Sequence, residues 1–222
     1  MKKLFIILTI STILLTGCSM NKLNNKSIDE IIDSTIISGN SKKLKNTSYD
    51  GYSYYLPREL SFVNKNDYNS IMKDVDGNYY YVYTDVVSYY HKVKKEYKED
   101  SNVYYSRKIE NKKKFGYFEI KEQEDTYYIE AMYNYTKVEA VVKKKDLDDS
   151  VVNICMLIGT VKYNDKVLET TVGENALDYK EETYNIFETK KDTSNFLNYV
   201  NEFDNIDDSD KDEDKVKMDE GE

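Results

Sequence analysis

The sequence predicts an α+β domain, a mainly antiparallel sheet packed by helices in an α/β/α sandwich-like arrangement. Three observations carry that expectation. Between residues 49 and 145 the chain repeats short runs of Tyr, Val, Ile and Phe, separated by clusters of Asn, Asp, Gly and Lys, which is the pattern of strands and turns. Before and after this region stand stretches, residues 28–37 and 150–161, whose apolar residues recur at helical spacing. The strand-like runs do not alternate with helical ones, as the βα units of a parallel sheet or of a two-lobed transport receptor would require.

The chain opens on Met1-Lys2-Lys3, continues through residues 4–15 without a charge, and closes that run with Leu15-Thr16-Gly17-Cys18. A basic start, an apolar middle and a small-residue site make a secretory signal. The apolar run is shorter than the roughly 20 residues that a permanent membrane helix needs. Leu15-Thr16-Gly17-Cys18 resembles the lipobox of bacterial lipoproteins, with every position of that pattern filled. The resemblance implies a diacylglyceryl group on the Cys18 sulfur, cleavage just before it, and a protein held on the outer face of the cytoplasmic membrane. Two acyl chains anchor stably where one is marginal, because each buried CH₂ contributes about 0.8 kcal/mol. Residues 1–17 are then the signal peptide and 18–26 a polar tether. No cofactor beyond the covalent lipid is expected.

Residues 27–203 read as one α+β domain. Ser27 and Glu30 have capping-box spacing, so a helix is expected from Ile28 to about Gly39, with Ile28, Ile31, Ile32 and Ile36 on one face. Strands are expected at 52–56, ended by Pro57, and at 60–63. A hairpin follows, with Asp76-Gly77 between 68–72 and 78–87. Residues 88–98 fit either an extension of that strand or a basic helix. Further strands are expected at 103–109, 115–120 and 126–142. In the last of these the apolar face switches between Tyr135 and Val138. That switch implies either a bulge or bend near Thr136-Lys137, or helices on both faces of the sheet. Asp148-Asp149-Ser150 opens a helix to about Val161, capped by Ser150 or Asp149. Residues 165–172 read as a further strand or arm, 180–188 are weakly patterned, and Thr193 or Ser194 caps a last helix. Residues 204–222 hold ten acids against three lysines and read as a disordered acidic tail.

Composition narrows the function. The formal net charge is −9, which disfavours a nucleic-acid role. Only Arg58 and Arg107 are arginine among 32 basic residues, and Asn, Ile and Tyr abound, as in a low-GC Gram-positive proteome. With Cys18 lipidated, Cys155 stands alone and no intrachain disulfide can form; its place on an apolar helix makes it a core thiol. His91 is the sole histidine, which excludes a multi-histidine metal site. Asp74-Val75-Asp76-Gly77-Asn78 has part of a calcium-loop pattern, but Met72 and Tyr83 stand where acids would be needed, so a turn is expected. The eight glycines form no phosphate loop.

The order helix, antiparallel sheet, long helix is similar to the PsbP/Mog1 family, an α/β/α sandwich. Tyr49-Asp50-Gly51-Tyr52-Ser53-Tyr54-Tyr55-Leu56-Pro57 is similar to that family's opening strand, although the Trp that often follows such a Pro is missing. The resemblance implies a binding or assembly module without catalytic residues. The 23 tyrosines offer a surface for such a role, since Tyr combines apolar area with a polar tip. Tyr79, Tyr81, Tyr83, Tyr104 and Tyr128 are the candidate binding residues, and a surface protein, peptide or glycan the candidate partner, besides the membrane. The expected function is therefore a membrane-anchored, extracytoplasmic binding or scaffolding lipoprotein. Its rival is a cell-wall or surface-polymer hydrolase working through paired Asp/Glu carboxylates, which would need two facing carboxylates in a cleft.

Overall fold

The structure is a computed structural model, and it describes residues 25–38, 45–173 and 186–189. The leader, Cys18, the start of the tether, the helix expected after Ser194 and the acidic segment 204–222 lie outside these residues.

Seven antiparallel strands form the main sheet: β3 (Ser61–Lys65), β4 (Asn69–Lys73), β5 (Tyr79–Thr84), β6 (Tyr105–Asn111), β7 (Lys114–Glu122), β8 (Thr126–Tyr133) and β9 (Thr136–Lys143). Their spatial order is β3-β4-β5-β9-β8-β7-β6. A small three-stranded sheet, β1 (Thr47–Tyr49), β2 (Tyr52–Tyr54) and β10 (Lys162–Tyr163), stands beside it in the order β1-β2-β10. Helices α1 (Asn25–Ile32, continued by a π-helical turn over Asp33–Ile37) and α3 (Leu147–Gly159) pack together and cover one face of the main sheet. The mixed α+β fold with antiparallel sheets packed against helices is the one the sequence implies.

The face under the helices is the main core. Alternation along each strand sends Tyr80, Val82, Phe118, Ile120, Ile129, Ala131, Val138 and Ala140 into it, where they meet Val151, Ile154 and Ile158 of α3 and Ile28, Ile32 and Ile36 of α1. The wider π-helical turn carries Ile36 onto this core, closed by Ser38 N–H donating to Asp33 O at 2.8 Å. Gly159 lets α3 end against that turn: a Cβ there would stand 3.3 Å from Thr35 O. On the opposite face Phe115, Tyr117, Met132 and Tyr135 pack with Ile186 and Phe187.

The two sheets are joined through rings rather than strands. Tyr49 stacks on Tyr52 at 4.8 Å between centroids, Tyr52 neighbours Tyr163 at 6.3 Å, and Tyr163 stacks on Tyr89 at 3.7 Å. Tyr89 then meets Tyr135 edge-on at 5.6 Å, and Tyr135 meets Phe115 at 5.3 Å. Two hydroxyls within this row are anchored to backbone: Tyr52 donates to Asp67 O at 2.6 Å and Tyr163 to Asn134 O at 2.8 Å.

Several expectations are corrected. The long strand 126–142 is two strands. Asn134 and Tyr135 both have positive φ, 51° and 64°, the requirement of a two-residue type I′ turn, and Tyr133 pairs with Thr136 across it. The switch of apolar face is therefore a change of strand, and no bulge is needed at Thr136-Lys137. Residues 165–172 form helix α4 (Asp165–Thr171), not a strand, and its Leu168 closes over Gly51, where a Cβ would meet Leu168 Cδ2 at 2.3 Å. Helix α1 starts at Asn25, so Ser27 lies inside its first turn rather than at the cap. Ser150 is likewise inside α3, which is led in by a 3₁₀ turn over Lys144–Asp146; its hydroxyl serves Tyr80 OH at 2.8 Å instead of the helix end. Of the two readings of 88–98, a helix is found but it is short and earlier, α2 (Val86–Tyr90), with the Asp85 carboxylate accepting Ser88 N–H at 2.8 Å as its cap.

Candidate functional site

The register of the central strands assembles a group that spacing alone does not reveal. Glu119 of β7 pairs with Glu130 of β8, which pairs with Glu139 of β9. Successive cross-strand positions share a face, so the three carboxylates form a row on the side of the sheet away from α3. Tyr81 of β5 and Ser106 of β6 continue the row at its two ends. Lys137 reaches between Glu130 and Glu139: its Nζ contacts Glu130 Oε1 and lies 3.2 Å from Glu139 Oε1. Lys137, Glu130 and Glu139 are fully enclosed. Glu119 is held by Lys121 Nζ at 3.1 Å and by the Tyr97 hydroxyl, and Tyr117 donates to Glu130 at 3.3 Å. Glu188 O accepts from Lys137 Nζ at 3.3 Å, so residues 186–189 close over the group. Two facing carboxylates are thus present, but they share a buried ammonium and are covered. A buried charge is tolerated where it is paired and hydrogen-bonded, and that is the role this row fills.

Two open sites stand elsewhere among the described residues. The larger is a groove of about 770 Å³ on the outer side of the small sheet. Its floor is the cross-strand row Ser48–Ser53–Lys162, and Asp50, Asn164 and Lys166 stand around it. The walls are set by the backbone: Asn164 N–H donates to Gly51 O at 2.8 Å, tying the β10–α4 connection to the β1–β2 turn. Hydroxyls, the two carboxylates of Asp50 and Asp165, an amide and two ammonium groups converge there, a mixture suited to hydrogen-bonding a polar chain such as a peptide or glycan.

The second is a cleft of about 600 Å³ between α1 and the edge strand β6. Arg107 crosses it, donating to Asp29 Oδ1 at 3.0 Å and to Asp33 Oδ1 at 2.6 Å. Tyr105 OH donates to the same Asp29 oxygen at 2.5 Å, and burial followed by that carboxylate raises the Tyr105 phenol far above its ordinary range. These bonds fasten α1 to β6, so the acids of the cleft are committed to structure.

The candidate tyrosines divide. Tyr79, Tyr81, Tyr83 and Tyr128 share the sheet face that carries the glutamate row; Tyr79, Tyr83 and Tyr128 are buried and Tyr81 is half-buried. Tyr104 lies apart, half-buried against Tyr127 at 4.8 Å on the border of the second cleft. His91 is exposed directly after α2. Cys155 is enclosed, and burial pushes its thiol well above the ordinary range. Asp74 folds its own turn: Oδ1 accepts the backbone N–H groups of Asp76 and Asn78 at 3.0 and 2.8 Å, and Gly77 takes φ +87°. Sequence reasoning did not single out Ser53, Lys162, Asn164 or the glutamate row. The row was legible only with Asn134-Tyr135 recognised as a turn, which sets Glu130 opposite Glu139.

Among the described residues, no group of three or more His, Cys, Asp or Glu side chains could hold a metal ion, and no helix is long and apolar enough to cross a membrane. No family model, curated protein or solved structure matches this chain.

Proposed function

We propose that the protein is a lipid-anchored, extracytoplasmic binding or scaffolding module that offers the groove of its small sheet to a peptide or glycan. The anchor rests on Lys2, Lys3, the uncharged run 4–15 and the lipobox-like Leu15-Thr16-Gly17-Cys18. The observation that carries the binding role is that tether and groove belong to opposite ends of the main sheet. Helix α1 runs beside β6 with Asp29 at Tyr105 and Arg107, and with Ile37 O accepting from Asn111 Nδ2 at 2.9 Å. Its first turn, which follows the tether, is thus at the end of the sheet where β7 turns into β8. The groove is at the other end, where Tyr163 reaches Asn134. An eight-residue strand spans about 26 Å, and residues 18–24, the part of the tether that precedes α1, reach at most about 25 Å. A groove so placed lies at the end of the sheet away from the point where the anchor would join the domain. The hydrolase reading needs facing carboxylates open to a substrate; the facing pair Glu130 and Glu139 is enclosed with Lys137, so binding is the better-supported function.

Mass spectrometry of the membrane fraction tests the anchor. The expected species begins at Cys18 and carries a diacylglyceryl adduct, and Cys18→Ala leaves the membrane or stays unprocessed. Equal membrane retention of that variant, or an intact leader on a cytosolic species, overturns the location. For the groove, Ser53→Trp fills the floor and is expected to abolish capture of surface partners by the anchored protein; undiminished capture moves the binding site elsewhere.

A further inference from the structure

A cluster of lysines gathers at the β6–β7 turn and the connection after α2, at the end of the sheet remote from the first turn of α1, although the chain as a whole is acidic. Lys112 and Lys113 form the two-residue turn between β6 and β7, with Lys114 at the first position of β7. Lys94 reaches the same place from the connection after α2, over the Phe115 ring at 5.5 Å and 3.7 Å from Glu110. Lys95 lies over Phe187 at 6.0 Å, and Lys92 over Tyr89 at 3.7 Å. Phe115 and Phe187 are themselves stacked at 6.1 Å, so these cations gather on one aromatic platform. The crowding leaves a trace: burial, then the neighbouring Lys45, lowers the Lys114 pKa. The nearby acids are already engaged, Glu110 by Lys108 at 3.2 Å and Glu188 by Lys95 at 3.6 Å.

We propose that this lysine platform is the docking surface for the chain's own acidic segment, residues 204–222. Three facts on charge and chain path support it. The segment carries ten acids and three lysines, a net of −7 out of −9 for the whole chain, and so holds most of the charge that the platform lacks. The chain reaches the platform just before it: Ile186 O accepts from Tyr117 OH at 3.2 Å, and Phe187 and Glu188 sit under Lys95. Fourteen residues separate 189 from 204, enough for about 45 Å when extended. A covalently connected polyanion competes with any free one at high effective concentration. The segment thereby screens the platform from anionic polymers, and it does so less as salt rises, because exposed charge pairs are screened within a Debye length of about 8 Å at physiological ionic strength. This goes beyond the groove and does not depend on the anchor.

Zero-length carbodiimide cross-linking of the detergent-solubilised full-length protein, with peptides mapped by mass spectrometry, tests it. At low salt, acids of 204–222 are expected to join Lys92, Lys94, Lys95, Lys112 or Lys113 within one molecule. Those products should fall at least tenfold at 0.5 M salt and in the Lys112→Glu/Lys113→Glu variant. Ending the chain at Phe203 should tighten binding of long-chain polyphosphate at least tenfold. Cross-links to Lys143 and Lys144 at the opposite end, products only between two copies, or unchanged polyphosphate binding would each overturn the proposal. A circular dichroism melt of the turn variant that matches the parent keeps a folding defect from being read as support.

Discussion

Lys137 Nζ lies 3.2 Å from Glu139 Oε1, and neither side chain touches solvent. The ammonium also contacts Glu130, so one cation serves two cross-strand acids in the middle of the sheet. Removing it leaves two buried carboxylates without their counter-charge. Lys137→Met is expected to cost about 3–5 kcal/mol, the range for breaking a buried pair from one side. Converting Lys137→Met, Glu130→Gln and Glu139→Gln together should recover part of that loss, since neutral amides are cheaper to enclose than charges. Urea unfolding of the single and triple variants measures both. A single variant within about 0.5 kcal/mol of the parent would mean that water or another cation already reaches the row.

Alkaline pH should unfold the protein in one cooperative step. Burial raises the phenols of Tyr52, Tyr54, Tyr80, Tyr83 and Tyr117 far above the ordinary value of 10.0, and that of Tyr133 to about 12. A raised folded pKa means that the folded chain keeps protons which the unfolded chain has released. The stability these groups contribute is therefore complete below pH 10 and is lost as pH climbs toward the folded values. Phenolate absorbance from these rings is expected to rise together with loss of the strand signal in circular dichroism. Gradual phenolate formation with the far-ultraviolet signal intact would contradict the burial of these rings.

Tyr135 occupies a left-handed position, φ 64°, that glycine would fill at no steric cost. Its ring nevertheless packs against Phe115, Phe187 and Tyr89. Tyr135→Gly should gain about 1–2 kcal/mol of backbone relief and lose about 3–5 kcal/mol of aromatic burial, as for Phe→Ala in a core. A net loss of about 2 kcal/mol is expected by thermal or denaturant melts. A net gain would show that the ring contributes little to joining the two sheets.

That residue also explains where the sequence could and could not be read. Asp76-Gly77 announced its hairpin because Gly77 sits at φ +87°, and the chemistry of the turn is visible in the letters. Asn134-Tyr135 makes an equally tight turn with a side chain that belongs to the core, so the strand seemed continuous through it. The glutamate row was lost with that turn, since register is needed to see it. Strands β1 and β10 are three and two residues long, too short for periodicity to declare them. Helix α4 is held by Leu168 over Gly51, a contact between residues more than a hundred positions apart. Strands β4 through β7, the body of α3 and the enclosed Cys155 were legible because each depends on local alternation or helical spacing alone.

The run of rings from Tyr49 to Phe115 has an optical consequence. The sequence contains no tryptophan, so tyrosine excitation has no indole acceptor to pass to. Neighbouring rings at 3.7–6.3 Å pass excitation among themselves, and their emission loses the polarisation of the exciting light. Separation of the small sheet from the large one would interrupt that relay at Tyr163–Tyr89. The anisotropy of the native chromophores therefore reports, without any label, whether the two sheets remain joined.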